Sequence, residues 1–449
     1  MSEAAVNYLP KVREQYESMP YPPVNPADEH TRLAATTYDR LDYLNHCFYD
    51  GRATFKGYRI LCAGDGTGNA SIVLAEQLAA LGGEVVALDM STASQAIAKE
   101  RAAIRKLTNI HYVNASLLDL PTLELGKFDY ISCAGVLHHL SDPDEGLRAL
   151  ISVLKPNGIL GIMVYAQIGR TPVYLMQDML RTLFRNNPPI DKQIAITRTL
   201  LDNLPYGNWA HHGNMLQNSD VKLGDAGIFD LFLHSQDRAY TVPQIYDWME
   251  RCGAKFEQFV TSDAHQDHIY NPATYIKEPS FVTRIKQLPL RKQQTIAELL
   301  CGNICMHTFY ATTGTHAAEL TPDDESLIPA FGLTSNLQPQ HLPAVSASLR
   351  TSIGKKTLNH SLPHRVRLKL TPLAATAELL SAINNERSIA QIIDQTAAKF
   401  TALSRADIVQ QWRTLYEDCR MQQILVLRRP EGARFPTLDE LRAQMQSRV

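Results

Sequence analysis

From Tyr58 onward, short apolar runs alternate with stretches whose apolar positions recur at helical spacing. Ile60–Ala63 is too short for a helix and ends on glycine, which predicts a buried strand. After the turn Gly64-Asp65-Gly66-Thr67-Gly68, residues Ala70, Ile72, Val73, Leu78 and Leu81 keep a helical period, and Gly82-Gly83 stops it. Glu84–Leu88 reads as a second strand with Asp89 at its carboxyl end. The alternation continues through a helix over Ser94–Lys106 and strands over Ile110–Asn114 and Phe128–Ser132. A helix over Glu145–Leu154, a turn at Lys155-Pro156-Asn157-Gly158 and a strand over Ile159–Tyr165 complete it. Strands alternating with helices in this way predict an α/β fold around a parallel sheet.

Further elements follow at wider intervals. Val173–Phe184 has the apolar spacing of a helix, and Thr241–Gly253 reads as another, with Thr241 as N-cap and Pro243 in its first turn. Lys255–Val260 and Met306–Thr312 read as closing strands. This organisation predicts an N-terminal segment at 1–50 and a first domain at 51–313. Insertions at 166–240 and 261–303 would stand above the carboxyl edge of the sheet, where open α/β folds bind ligands. In residues 314–360 Thr, Ser, Pro and Ala dominate and no period persists, which predicts a linker. Beyond it, helices over Pro372–Asn384, Ser388–Lys399 and Ser404–Cys419 and a strand over Gln422–Arg428 predict a small winged-helix-like α+β domain at 361–449. Ahead of the first domain, the prolines around Tyr21 in Gln15–Pro23 predict a stiff, extended segment.

Composition narrows the function. A chain of 449 residues with 45% hydrophobic and 20% charged residues is large enough for more than one core. The net charge of −2 and the non-basic third C-terminal helix disfavour a nucleic-acid partner. No apolar run reaches membrane length, and the stretch MSEAAVNYLPKVREQY has no apolar signal region, so a cytoplasmic protein without membrane contact is expected. The 7 cysteines are scattered, as expected of reduced thiols.

The glycine turn and Asp89 together describe a nucleoside site. Glycines let backbone approach a ligand, a helix N-terminus offers free N–H groups, and an acid accepts from ribose hydroxyls. A dinucleotide or a single nucleoside would fit that description. The dinucleotide fingerprint wants its third glycine where Asn69 stands; here glycine falls one residue early, at Gly68. This G-x-G-x-G pattern with its acid resembles motif I and the acidic loop of class I S-adenosylmethionine (SAM)-dependent methyltransferases. Ala115-Ser116-Leu117-Leu118-Asp119-Leu120-Pro121 resembles that family's adenine segment, with Ser116 where an Asp is usual. The run from Phe128 to Val164 resembles its fourth and fifth strands.

The resemblance implies a Rossmann-like, seven-stranded methyltransferase sheet with SAM as cofactor and S-adenosylhomocysteine as product. It implies cofactor-binding roles for Gly64, Asp65, Gly66, Gly68, Asn69, Asp89, Met90, Ser116, Leu117, Ala134 and Gly135. The Q-Y-E-x-x-P-Y-P segment is similar to one found in a bacterial branch of the family, where it implies a lid, with Tyr16 and Tyr21 as cofactor-site candidates. The C-terminal tail is similar in pattern to that of bacterial protein-lysine methyltransferases.

Candidate catalytic residues are His138, His139, Asp225 and His234. A nitrogen nucleophile must be neutral, and carboxylates or histidines can position it and take its proton. The acid- and aromatic-rich segment DAGIFDLFLHSQDRAYT suits that task. Cys301, Cys305 and His307 have metal-ligand types without a companion pair, and His265 and His268 read as loop residues, so no metal is expected. The expected function is methyl transfer to a nitrogen of a protein or peptide side chain. A small-molecule N- or O-methyltransferase and a non-catalytic SAM-binding regulatory subunit are the alternatives, and a homodimer is an open option.

Overall fold

The computed structural model describes residues 10–212, 219–260, 269–335, 337–362 and 367–448. The histidines at 265 and 268 lie outside them. The chain enters through α1 (Pro10–Ser18), which makes Gln15–Ser18 helical instead of extended as expected, then a 3-10 turn at Pro26–His30 and α2 (Leu41–Phe48), whose residues are mostly buried. β1 (Arg59–Ala63) then leads through the glycine turn into α3 (Asn69–Leu78). Gly68 caps that helix at φ 94°, and a Cβ there would lie 2.8 Å from the Cβ of Ala98, so conformation and close helix approach both demand glycine. β2 (Glu84–Asp89) feeds α4 (Thr92–Ile104), which Ser91 caps by accepting from the Ser94 N–H. β3 (Ile110–Asn114), β4 (Phe128–Ala134), α5 (Pro143–Ser152) and β5 (Leu154–Ala166) follow. β5 begins earlier than its apolar run, because Leu154 already pairs with Phe128; the Lys155–Gly158 stretch is an irregularity within the strand.

The first insertion holds α6 (Thr171–Leu183), α7 (Ile190–Asp202), the short turns α8 (Trp209–His212) and α9 (Ser219–Lys222), and α10 (Asp225–Phe232). Val173, Met176, Leu180, Ile228 and Phe232 give it a small core of its own. After the two-residue β6 (Ala239–Tyr240) come α11 (Val242–Arg251), with the Thr241–Gln244 capping box, and β7 (Lys255–Phe259). The second insertion carries α12 (Pro279–Lys286) and α13 (Leu290–Cys301), and β8 (Met306–Thr312) closes the sheet. Strand order is β3-β2-β1-β4-β5-β8-β7, with β6 appended to β5. β1 to β5 run parallel, while β8 runs antiparallel to both β5 and β7. This is the Rossmann-like sheet expected from the sequence, made mixed by the antiparallel β8.

The expected linker is folded. Residues 314–360 contain β9 (Ile328–Phe331) and α14 (Leu342–Arg350), and Leu327, Val345 and Leu349 are wholly buried. Their apolar positions are too sparse to show a period because their partners are distant: β9 pairs with β12 (Leu425–Arg428). Between them lie β10 (Leu358–Ser361), β11 (Arg367–Leu370), α15 (Thr376–Ala382), α16 (Ile389–Ala397) and α17 (Arg405–Met421). The second core therefore begins near Leu320. α18 (Leu438–Arg448) turns back, and Leu441 packs into the core of the first unit beside Phe55 and Tyr58.

Candidate active site

A cavity of about 530 Å³ opens at the carboxyl ends of β1, β2 and β4. Its floor is the glycine turn. Gly64, Gly66 and Gly68 all have positive φ, and the Gly66 N–H donates to Asp89 Oδ2 at 2.7 Å. Asp89 Oδ1 accepts from the Ser91 N–H at 2.8 Å, which holds the carboxylate in place with lone pairs to spare for hydroxyl donors. Met90, Asn69, Ser116, Leu117, Ala134 and Gly135 line the same cavity. Ser116 forms a capping box with Asp119. Asp65 also faces the cavity but is turned to Ser71, whose N–H and Oγ donate to it at 3.1 and 2.6 Å; burial pushes its carboxyl up to about 7.

A strap of residues 16–22 covers the turn. The Ser91 hydroxyl donates to the Tyr16 carbonyl at 3.1 Å, and the Thr67 hydroxyl to the Pro22 carbonyl at 3.0 Å. Glu17 accepts from the N–H groups of Thr92 and Ala93 at 2.9 and 3.0 Å, at the positive end of α4. Both strap tyrosines turn their hydroxyls into the cavity, Tyr16 toward Asp230 Oδ1 at 3.3 Å and Tyr21 toward Asp220 Oδ1 at 3.0 Å.

Opposite the glycine turn, Tyr165 at the end of β5 points its hydroxyl at Asp230 Oδ2, 3.5 Å away. The Arg170 guanidinium lies 3.5 Å from the centre of the Tyr165 ring and the His138 ring 3.9 Å from it. Burial pushes Asp230 up to about 7; Asp220 adds to this, and Arg170 opposes it. Burial also keeps His138, His139 and His234 neutral, with His139 pushed down to about 4. His139 and His234 stack at 3.9 Å. The ring nitrogens of His138 are buried without a hydrogen-bond partner, so His138 acts as packing for Tyr165.

The structure thus gathers Tyr16, Tyr21, His139 and His234 with the cofactor-site residues and leaves Asp225 apart. Asp225 begins α10 on the surface, 65% exposed, and pairs with Arg198. Asp230, Asp220, Tyr165 and Arg170 complete the pocket. The signal for Asp230 was its setting: a lone acid within Ile228-Phe229-Asp230-Leu231-Phe232 is an acid on a buried helical face. Tyr165 and Arg170 carried none, because only the folded sheet edge brings them to the insertion. Among the described residues no cluster of three His, Cys, Asp or Glu could hold a metal. His307 is bonded to Tyr270 and to the Tyr240 carbonyl, and Cys305 to the Gly169 carbonyl.

Residues 61–160 match the family model of a methyltransferase domain. That part of the chain is a methyltransferase domain of the SAM-dependent type. The glycine cradle and Asp89 fit the nucleoside of that cofactor. The chain is 33% identical over 269 residues to an uncharacterized protein of Synechococcus sp., covering 59% of this chain and 63% of that one. It is 33% identical over 166 residues to the mitochondrial ubiquinone biosynthesis O-methyltransferase of Schizosaccharomyces pombe, covering 33% of this chain and 56% of that one. The chain thus spans less than two thirds of the length of these relatives. Among solved structures, PKMT2 from Rickettsia typhi in complex with AdoHcy aligns over 91% of this chain and 77% of its own, with TM-score 0.64 and 15% identity. That likeness is one of fold.

Proposed function

We propose that this protein is a SAM-dependent methyltransferase whose acceptor is a side-chain nitrogen of a protein or peptide. The observation that carries this reading is the acid and phenol cluster across from the cofactor turn, with Asp230 between Tyr16 and Tyr165 and Asp220 beside Tyr21. Bound SAM would supply a methyl group already activated by its sulfonium. The chain's own task is to strip water from the acceptor, align it and take its proton. An amine arrives at neutral pH as a cation, which paired carboxylates favour. Asp230, pushed up to about 7, is matched to accept a proton from that ammonium, leaving a neutral amine with a free lone pair. The strap over Tyr16 and Tyr21 acts as a lid. The winged-helix-like C-terminal unit recruits the acceptor, or alternatively forms a dimer contact. A cytoplasmic setting belongs to the same reading, supported by cysteines that are all free.

A second reading, small-molecule O-methyl transfer, rests on the ubiquinone-biosynthesis relatives. Carboxylates facing the acceptor suit a cation better than a phenolate, which favours the amine. The test is transfer of radiolabelled methyl from SAM into a cell extract, separated into protein, nucleic-acid and small-molecule fractions. Label in a protein band supports the first reading, and label confined to small molecules supports the second. No label with SAM still bound leaves a regulatory subunit. Asp230→Asn should cut transfer by about 10²-fold or more while leaving SAM affinity nearly unchanged, as expected of a lost general base.

A further inference from the structure

We propose that His234 is a positioning residue that acts through Tyr16 to hold Asp230 in its ionised, proton-accepting form. The inference rests on the reading of Asp230 as the base of a methyl transfer, and it follows from which atom carries each hydrogen. The backbone N–H of Gln236 donates to His234 Nδ1 at 3.1 Å. A neutral imidazole whose Nδ1 accepts must carry its hydrogen on Nε2. Nε2 lies 3.4 Å from the Tyr16 hydroxyl oxygen, so the imidazole donates to Tyr16. The hydrogen of Tyr16 is then left to point at Asp230 Oδ1, 3.3 Å away. Tyr165 donates to the other carboxylate oxygen, so each oxygen of Asp230 faces a phenol hydrogen. These donors stabilise the carboxylate against the burial that would neutralise it.

The ring of His234 is itself fixed. The Gln236 carbonyl can only accept, so His139 donates to it from Nδ1 at 2.8 Å, and the Gln236 side chain donates to the Leu140 carbonyl at 3.0 Å. The backbone of one residue, Gln236, therefore sets the tautomers of two stacked imidazoles. The other groups facing Asp230 are Asp220, Asp237 and Tyr21, with Arg170 as the cation; the acids favour its protonation and Arg170 opposes it. Because Tyr16 belongs to the strap, the base is complete only when the strap is seated on Ser91 and α4.

The test compares two ligands across pH in the full-length protein: S-adenosylhomocysteine, and sinefungin, whose ammonium stands where SAM carries its methyl. Calorimetric preference for sinefungin should appear as Asp230 ionises, with a midpoint near 7 in the wild type. His234→Phe keeps the ring stack and removes the donor; losing ordered donors should move the midpoint up by about one pH unit. Tyr16→Phe should move it likewise, and adding His234→Phe to Tyr16→Phe should move it no further. His234→Gln, whose amide can donate to Tyr16, should restore the wild-type midpoint. A midpoint unmoved by His234→Phe, or additive shifts in the double variant, overturns the inference while the methyltransferase reading stands. Failure of the wild type to bind either ligand removes that reading and the inference with it. His234→Leu provides the same readout if the phenylalanine variant does not fold.

Discussion

At Gly66 conformation, contact and ligand coincide. Its φ is +56°, its N–H is committed to Asp89, and a Cβ would stand 2.8 Å from the Tyr21 carbonyl oxygen. Gly66→Ala forces an L-residue into the left-handed region at about 1–2 kcal/mol and lifts the strap. S-adenosylhomocysteine affinity in calorimetry should fall by at least about tenfold, the equivalent of that strain, with the circular dichroism spectrum unchanged. Gly66→Asp should abolish binding. Asp230 carries a pH signature. A carboxylate must be ionised to take a proton, so a raised pKa moves the loss of activity on acidification up from the ordinary carboxylate range to about 7. Rate profiles for the labelled acceptor should therefore fall below about pH 7, and a flat profile down to about pH 5 would remove Asp230 as the base. The glycines and Asp89 were legible because few residue types meet such demands. The choice between Asp225 and Asp230 was not made at the residue level: five positions along a helix separate them by roughly 140°, so one faces solvent and the other the pocket.

Among the elements, the glycine turn is braced by a buried ionic cluster. Glu29 is buried between Arg101 and Arg105, and Arg105 also meets Glu76. Arg101 extends from α4 to the Thr67 carbonyl and to Asn69 Oδ1, so the same guanidinium ties the Pro26–His30 turn, α4 and the cofactor turn. Glu29→Gln leaves two buried guanidinium groups short of a counter-charge and should cost about 3–5 kcal/mol in denaturant unfolding. It should also weaken S-adenosylhomocysteine binding, since Arg101 loses the partner that aims it at the turn. A variant as stable as wild type would show that the cluster is solvated. Helices and strands of the first unit, and α16 and α17 of the second, fell close to their sequence expectations, because caps such as Thr241, Ser388 and Ser404 mark starts locally. The seat of the strap could not be read that way, since Glu17, Thr67 and Ser91 meet only after folding.

Over the whole molecule, α2 is the joint between the two units. Buried His46 accepts from the Leu427 N–H of β12 and reaches Glu319 and Tyr416, while Asp42 accepts from the Leu333 N–H. Arg429 pairs with Asp50 and Asp324, and α18 returns to the first core. Removing residues 314–449 would expose Asp42, His46 and the apolar face around Phe55, so the remaining fragment should lose cooperative unfolding and S-adenosylhomocysteine binding together. A truncated fragment that melts sharply and still binds would show that the first unit stands alone. The sequence by itself determined the sheet and the glycine turn with Asp89 facing it, because period, turn residues and helix caps are local properties of consecutive positions. The tertiary structure alone decided that 314–360 is core, that the strap tyrosines meet Asp220 and Asp230, and which nitrogen of His234 bears its hydrogen. Each of those depends on groups distant in the chain, whose burial and pairing exist only once the units have packed.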